Sequence, residues 1–147
     1  SLPYYLAMVE SVDYEMGRLL ENIPAEELEN TIIIFIGDNG TPEKVLQAPY
    51  TDGQGKGSAF QGGVNIPMVI SGAGVKRTNE REEALISTAD LFATIAELAG
   101  GAEKQLNSSY SFTRLFAADT LGPRSINYVD FELSKSSLTD PTRHLEI

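Results

Sequence analysis

Residues 31–40 read TIIIFIGDNG, and this stretch decides the class of fold that the sequence predicts. Within it, Ile32–Ile36 is an unbroken run of β-branched and aromatic residues bounded by turn-forming residues. Such a run is typical of a short strand that is buried on both faces, as in a parallel sheet covered by helices. Asp38 and Asn39 follow the strand directly. Ligands of open α/β sheets bind just beyond the carboxyl ends of strands, so a site is expected at these two residues.

The side chains of Asp38 and Asn39 suggest what such a site would bind. A carboxylate and an amide carbonyl are hard oxygen donors, the kind that Ca²⁺ or Mg²⁺ prefers. The sequence Asp-Asn-Gly is also a favourable turn, because all three residues tolerate turn conformations without any ligand. Both interpretations stay open on these residues alone.

The rest of the chain predicts alternating helices and strands. The pattern indicates an amphipathic helix with one packed face at residues 4–23, a long glycine-rich loop at 41–63, a second strand at 65–71, a helix at 87–100, a short helix at 112–118 and a strand at 125–133. Ser87 and Asp90 have the spacing of a capping box at the start of the 87–100 helix. This alternation predicts a single α/β domain with a parallel or mixed sheet.

Composition limits the classes of function. The chain has 147 residues, a net charge of −10 and no cysteine. That length suits one domain with one core. The acidic balance argues against a nucleic-acid surface, which needs basic clusters. No window approaches the roughly 18 continuous apolar residues of a membrane span, so neither nucleic acid nor a membrane is an expected partner.

One lysine stands out in the long loop, within the sequence Gly53-Gln54-Gly55-Lys56-Gly57-Ser58. The segment fails the P-loop pattern, because Lys56 is followed by glycine and the required upstream glycine is absent. A lysine ammonium can still serve as a point charge for a tetrahedral oxyanion. A solvated loop lysine is the alternative interpretation.

Four blocks of the sequence, taken in order, resemble the sulfatases of the alkaline phosphatase superfamily over residues 4–100. These blocks are VDYEMGRLL, TIIIFIGDNG, GKGSAFQGGVNIPMVISG and STADLFATIAELAG. The resemblance implies a partial alkaline-phosphatase-like sandwich, with a mostly parallel or mixed sheet flanked by helices. It implies a metal-dependent, arylsulfatase-like hydrolase of sulfate esters, in which Asp38 and Asn39 are ligands of Ca²⁺ (or Mg²⁺) and Lys56 contacts the substrate sulfate. The nucleophile of such enzymes is a formylglycine hydrate.

The sequence also departs from the family pattern. The nucleophile motif, Cys or Ser followed by x-Pro-x-Arg, is absent. The sequence begins like this motif with Ser1-Leu2-Pro3, but Tyr5 occupies the position of the arginine. Gln61 replaces an acidic residue, and Asn65 stands where arginine is common. We therefore expect residues 1–147 to be the C-terminal portion of a sulfatase catalytic domain, with the nucleophile half and its formylglycine absent, and to be inactive alone.

Three further expectations follow from that interpretation. An incomplete sheet would leave an apolar edge or face exposed, which predicts self-association. The resemblance implies a periplasmic, secreted or lysosomal location. Two alternatives remain: a stand-alone, non-catalytic α/β binding module or degenerate relative, and a fragment of a phosphate or phosphonate ester hydrolase on the same scaffold.

Overall fold

The structure is a computed structural model, and it describes residues 1–102, 104–118 and 120–129. The chain forms two compact units. The described residues of the first unit lie within Ser1–Asp38 and Ile66–Asn127, and those of the second are Asn39–Asn65 together with residues 128 and 129.

The helices and strands follow one another as the sequence pattern predicts in outline. In chain order they are α1 (Leu2–Glu21), α2 (Ala25–Leu28), β1 (Ile32–Ile36), α3 (Gln61–Val64), β2 (Met68–Gly72), α4 (Asp90–Leu98), β3 (Gln105–Leu106) and β4 (Ser109–Tyr110), with 3₁₀ turns at Glu43–Val45 and Thr113–Phe116. The strand predicted at 125–133 lies partly outside the described residues, and residues 125–129 form no strand.

The strands of the first unit pair in antiparallel fashion. Ile34 of β1 lies opposite Ile70 of β2, and β3 pairs with β4 in a small hairpin. The parallel pairing expected from the sequence is not found within the described parts of the chain. Parallel neighbours need a crossover connection, usually a helix. The segment between β1 and β2 carries only short helical turns, and Gly37 N–H donates to the Pro67 carbonyl at 2.9 Å where the strands meet.

The two faces of the β1–β2 pair have different surroundings. Ile32, Met68 and Ile70 pack against the core. On the other face, Phe35 lies opposite Val69, and these side chains are 38% and 60% exposed. The prediction that this strand is buried on both faces is therefore wrong at Phe35, which is exposed, although Ile33 on the same face is half-buried.

The core of the first unit is built around the 3₁₀ turn Thr113–Phe116. Phe112, Leu115 and Phe116 are buried there, and the rings of Phe112 and Phe116 meet edge to face with centroids 6.0 Å apart. Such aromatic pairs contribute about 0.5–1.5 kcal/mol beyond the apolar area they bury. The short helix predicted at 112–118 is thus present as a 3₁₀ turn.

The helix α1 confirms one prediction and corrects another. Its bounds, Leu2–Glu21, agree with the amphipathic pattern at 4–23, and Pro24 follows its end. None of its residues is buried, and Val9 and Val12 are about half exposed. The expected packed face is therefore exposed at Val9 and Val12, whereas Met16 and Leu20 of the same face are half-buried. Among the described residues, no helix is both long and apolar enough to cross a membrane.

Asp90, the first residue of α4, is fully buried. Its Oδ2 accepts a hydrogen bond from Ser87 N–H at 2.8 Å, which is the carboxylate half of the predicted capping box. The other half differs, because Ser87 Oγ accepts from Ala89 N–H at 3.3 Å. The interpretation of Asp90 as part of a helix start is confirmed.

Asp90 also holds three distant segments together. Its Oδ1 accepts from Tyr110 N–H at 2.9 Å, and the Nε and Nη2 of Arg124 each lie 2.6 Å from a carboxylate oxygen. Arg124 further donates to the carbonyl of Ser108 and lies over the Tyr110 ring, 4.9 Å from its centroid. This pair joins α4, the β3–β4 hairpin and the segment around Arg124.

This environment makes stability depend on pH. Burial by itself raises the pKa of Asp90, but the Arg124 guanidinium and the two backbone donors outweigh burial and hold the pKa below its ordinary value. A depressed carboxyl pKa stabilises the fold above the unfolded-state pKa, about 3.9, and this stabilisation is lost as the pH falls through the lower folded-state pKa. We expect the free energy of unfolding, measured in urea, to decrease as the pH is lowered from about 4. Asp90→Asn should make this dependence on pH weaker. An unchanged pH dependence in the variant would contradict the assignment to Asp90.

Candidate functional site

The structure places Asp38 just beyond the end of β1, where the sequence predicted a site. Its side chain is exposed, and it is the last residue of this segment of the first unit. Asn39 is half-buried and begins the second unit. In the described parts of the chain, no group of three or more His, Cys, Asp or Glu side chains could hold a metal ion. These two oxygen donors are therefore fewer than the six to eight ligands that Ca²⁺ takes.

The second unit is organised by backbone packed against backbone. Gly40 N–H donates to the Gly63 carbonyl at 3.0 Å, and Thr41 N–H donates to the Gly62 carbonyl at 2.9 Å. A Cβ on Gly40 would lie only 2.2 Å from the Gly62 carbonyl oxygen. The segment that follows Asn39 therefore lies directly on the Gly62-Gly63 pair, at a separation that only glycine permits.

The loop that carries Lys56 lies against the same segment. Lys56 N–H donates to the Thr41 carbonyl at 2.7 Å, so the backbone of Lys56 is hydrogen-bonded two residues from Asn39. Gly55, the preceding residue, is buried, and a Cβ there would lie 2.6 Å from the same carbonyl oxygen. The Lys56 side chain is exposed. Two residues singled out from the sequence, Asn39 and Lys56, thus lie on neighbouring backbone segments of one unit.

Glu43 also contributes to this loop, which sequence reasoning missed. Its Oε1 accepts from Gly55 N–H at 2.8 Å and its Oε2 accepts from Gly53 N–H at 3.1 Å. These partners lie ten and twelve residues away through an irregular loop. No periodic pattern links residues at such spacings, so the sequence carries no signal for the contact.

The two positions that depart from the sulfatase pattern follow the Lys56 loop in the sequence and belong to the same unit. Gln61 is the first residue of α3, and its carbonyl accepts from Asn65 N–H at 2.9 Å. Both residues are exposed.

The residues predicted from the sequence offer two kinds of binding group. An exposed ammonium can donate up to three hydrogen bonds as a compact point charge, which suits a tetrahedral oxyanion. The amide oxygen of Asn39 and the carboxylate of Asp38 are donors for a hard cation.

A separate open groove lies in the first unit. It has a volume of about 270 Å³ and is lined by Glu97, Lys104, Tyr110, Thr113 and Arg114, among others. Within it, Glu97 accepts from Thr113 Oγ1 at 2.7 Å and lies 3.7 Å from the Lys104 ammonium. None of the site residues predicted from the sequence lines this groove.

The chain matches one family model and several curated proteins. The model of the family described as Sulfatase matches residues 1–102. N-acetylglucosamine-6-sulfatase of Capra hircus is 29% identical over 135 residues, which cover 90% of this chain and 23% of that protein. Arylsulfatase K of Canis lupus familiaris is 27% identical over 113 residues, which cover 76% of this chain and 20% of that protein.

A bacterial protein shows the same partial overlap. A sulfatase of Formosa agariphila is 31% identical over 111 residues, covering 65% of this chain and 19% of that protein. The chain thus spans less than a quarter of the length of each of these curated relatives. No solved structure matches it.

Proposed function

This chain belongs to the sulfatase family, and we propose that it is the portion of a metal-dependent sulfuric ester hydrolase that carries two cation ligands and a sulfate-contacting lysine. Family membership implies an α/β fold of the alkaline phosphatase type. The proposed ligands are Asp38 and Asn39, and the proposed sulfate contact is Lys56. The observation that carries the proposal is the 2.7 Å hydrogen bond from Lys56 N–H to the Thr41 carbonyl, which fixes the lysine beside the segment beginning at Asn39.

The proposed residues have complementary tasks. A bound Ca²⁺ or Mg²⁺ would neutralise negative charge that develops on sulfuryl oxygens. The Asp38 carboxylate and the Asn39 amide oxygen would hold that cation, and their donor chemistry fits it. The Lys56 ammonium would donate to the remaining sulfate oxygens. Two oxygens complete only part of a calcium shell, so the other ligands must come from residues outside this pair.

The chain's own turnover is a separate question. The Cys/Ser-x-Pro-x-Arg motif that would supply formylglycine does not occur in this sequence. We therefore propose that residues 1–147 form the C-terminal portion of a catalytic domain and have no sulfatase turnover alone. We propose only the class of substrate, a sulfate ester, because loops around the site set the specificity for a particular ester.

Replacing Lys56 with alanine should weaken binding of 4-nitrophenyl sulfate to the chain about tenfold, because a hydrogen bond from a charged donor contributes roughly 1.5–3 kcal/mol. Titration of ¹⁵N-labelled chain in the presence of Ca²⁺ measures this affinity. Lys44→Ala is the matched control, since Lys44 is an exposed lysine of the same unit. Equal affinities in wild type and Lys56→Ala, or an equal loss in Lys44→Ala, would refute the role of Lys56. Tighter binding of 4-nitrophenyl phosphate would favour the phosphate or phosphonate ester alternative.

A non-catalytic relative is the second candidate. The missing nucleophile motif and the substitutions at Gln61 and Asn65 favour it. Such a protein would bind a cation or an anionic ligand through the same residues without turning over. Hydrolysis of 4-nitrophenyl sulfate by the protein purified from its natural source would exclude this candidate.

We also propose that the chain self-associates through α1. Its apolar side chains, including Tyr4 and Met8, are 78% and 66% exposed in a helix none of whose residues is buried. Burying such surface is favourable at roughly 25 cal/mol per Å². Light scattering should therefore show dimers or larger species at high concentration, and Val9→Lys with Val12→Glu should shift them towards monomer. A monomer at every concentration would contradict the proposal. A periplasmic, secreted or lysosomal location remains a prediction from the family.

A further inference from the structure

The carboxylate of Glu43 bridges two backbone amides of the loop that leads to Lys56. Oε1 accepts from Gly55 N–H at 2.8 Å, and Oε2 accepts from Gly53 N–H at 3.1 Å. Glu43 begins the 3₁₀ turn Glu43–Val45, whose Val45 side chain is buried. The anchor of the bridge is therefore itself fixed by its local structure.

The bridge acts on the residue immediately before Lys56. Gly55 is buried, donates to Glu43 and leaves no space for a Cβ beside the Thr41 carbonyl. Lys56 N–H then donates to that same carbonyl at 2.7 Å. Thr41 and Glu43 thus hold two consecutive amides, and the direction in which the Lys56 side chain leaves the backbone depends on both.

A lysine side chain has four rotatable bonds and loses much rotamer freedom when it binds. Fixing its backbone reduces the volume that the ammonium samples and so reduces that loss. Hydrogen bonds to a carboxylate are about twice as strong as neutral ones, which suits them to hold the glycine-rich loop in place.

We infer that Glu43 is a positioning residue for Lys56: its carboxylate fixes the Gly53–Gly55 backbone so that the Lys56 ammonium is presented to a sulfate ester. This inference rests on the proposed function of Lys56. Both Glu43 oxygens accept amide hydrogens of the loop, and an ionised carboxylate has no hydrogen to donate to a sulfate, so its role is exerted through the loop and not through contact with the substrate.

The charge of Glu43 and its proposed positioning role predict opposite changes in affinity when the carboxylate is removed. Removing the negative Glu43 carboxylate should, by electrostatics alone, strengthen binding of an anionic ester. Loss of positioning should weaken it. The sign of the change in affinity therefore separates a positioning role from a simple charge effect.

The experiment titrates 4-nitrophenyl sulfate, with Ca²⁺ present, into the ¹⁵N-labelled full chain and its Glu43→Ala, Glu43→Gln, Asp52→Asn and Lys56→Ala variants. We expect Glu43→Ala to weaken binding about tenfold. This is the lower end of the loss seen in other proteins when a residue that positions a binding residue is removed. The amides of Gly53 and Gly55 should exchange about tenfold faster. Glu43→Gln should lie between, since its amide keeps one acceptor oxygen, and exposed Asp52→Asn, which also removes a loop charge, should not weaken binding.

Each outcome decides the inference. Unchanged or tighter binding in Glu43→Ala, with Lys56→Ala weakened, overturns the positioning role and leaves the proposed function standing. Unchanged binding in Lys56→Ala overturns the proposed function and the positioning role with it. Unchanged exchange at Gly53 and Gly55 in Glu43→Ala shows that the bridge does not hold the loop. If Glu43→Ala loses its dispersed spectrum, Glu43→Gln decides by the same criteria.

Discussion

Asp90→Ala is expected to lower the free energy of unfolding of the first unit by about 3–5 kcal/mol, the cost of breaking a buried ion pair from one side. Asp90 is fully buried, so its removal leaves the Arg124 guanidinium without its carboxylate. It also leaves the N–H groups of Ser87 and Tyr110 without their acceptor. Urea unfolding followed by circular dichroism measures the change.

Two further variants test the cause of that loss. Arg81 and Glu83 form an ion pair whose side chains are 89% and 80% exposed, so Glu83→Ala should cost no more than about 1 kcal/mol. Adding Arg124→Met to Asp90→Ala should recover part of the stability, because the second change removes the unpaired buried charge. Equal losses in Asp90→Ala and Glu83→Ala would show that the buried pair does not stabilise the fold.

Gly40→Ala is expected to destabilise the second unit by about 3 kcal/mol, the upper end of the cost of overpacking. The added Cβ would lie 2.2 Å from the Gly62 carbonyl oxygen and 2.5 Å from Gly63 Cα, and neither backbone atom can move like a flexible side chain. The segment that follows Asn39 would be pushed away from the Gly62-Gly63 pair as a result. Hydrogen exchange of second-unit amides measures the loss, and binding of 4-nitrophenyl sulfate should weaken in parallel.

Gly57→Ala separates close approach from backbone conformation. Gly57 has φ +88°, but a Cβ there would meet nothing within 4 Å. Its replacement should cost only the strain of a left-handed conformation, roughly 1–2 kcal/mol. If Gly40→Ala proved as mild as Gly57→Ala, the glycine packing would not be what holds these segments together.

Local patterns were predictable from the sequence because they depend on neighbours in the chain. The run Ile32–Ile36, the helical spacing of α1 and the helix start at Asp90 each belong to one segment, and the structure confirms the strand, the helix and the helix start. Whether β1 pairs in a parallel or an antiparallel direction depends on its partner β2, and the residues Ile32–Ile36 do not specify that partner. The β3–β4 hairpin was missed because strands of two residues have no periodicity to detect.

The same distinction applies to the site. The position of Asp38 after β1 follows from the strand itself, and the glycines around Lys56 signal an unusual backbone. The contacts that give those glycines their roles join residues such as Gly40 and Gly63, far apart in an irregular loop. The Asp90–Arg124 pair likewise spans 34 residues. Only the folded backbone brings such partners together.

The glycine packing of the second unit has a thermodynamic consequence. In its described part, Val45 is the buried hydrophobic residue, and the close contacts join peptide groups. Heat capacity on unfolding rises with exposed apolar surface and falls with exposed polar surface. Opening this unit should therefore produce little heat-capacity change, so the enthalpy of opening should stay nearly constant with temperature. The free energy that keeps the Lys56 loop closed would then vary almost linearly with temperature, whereas the core around Phe112 follows the curved stability profile of a hydrophobic fold.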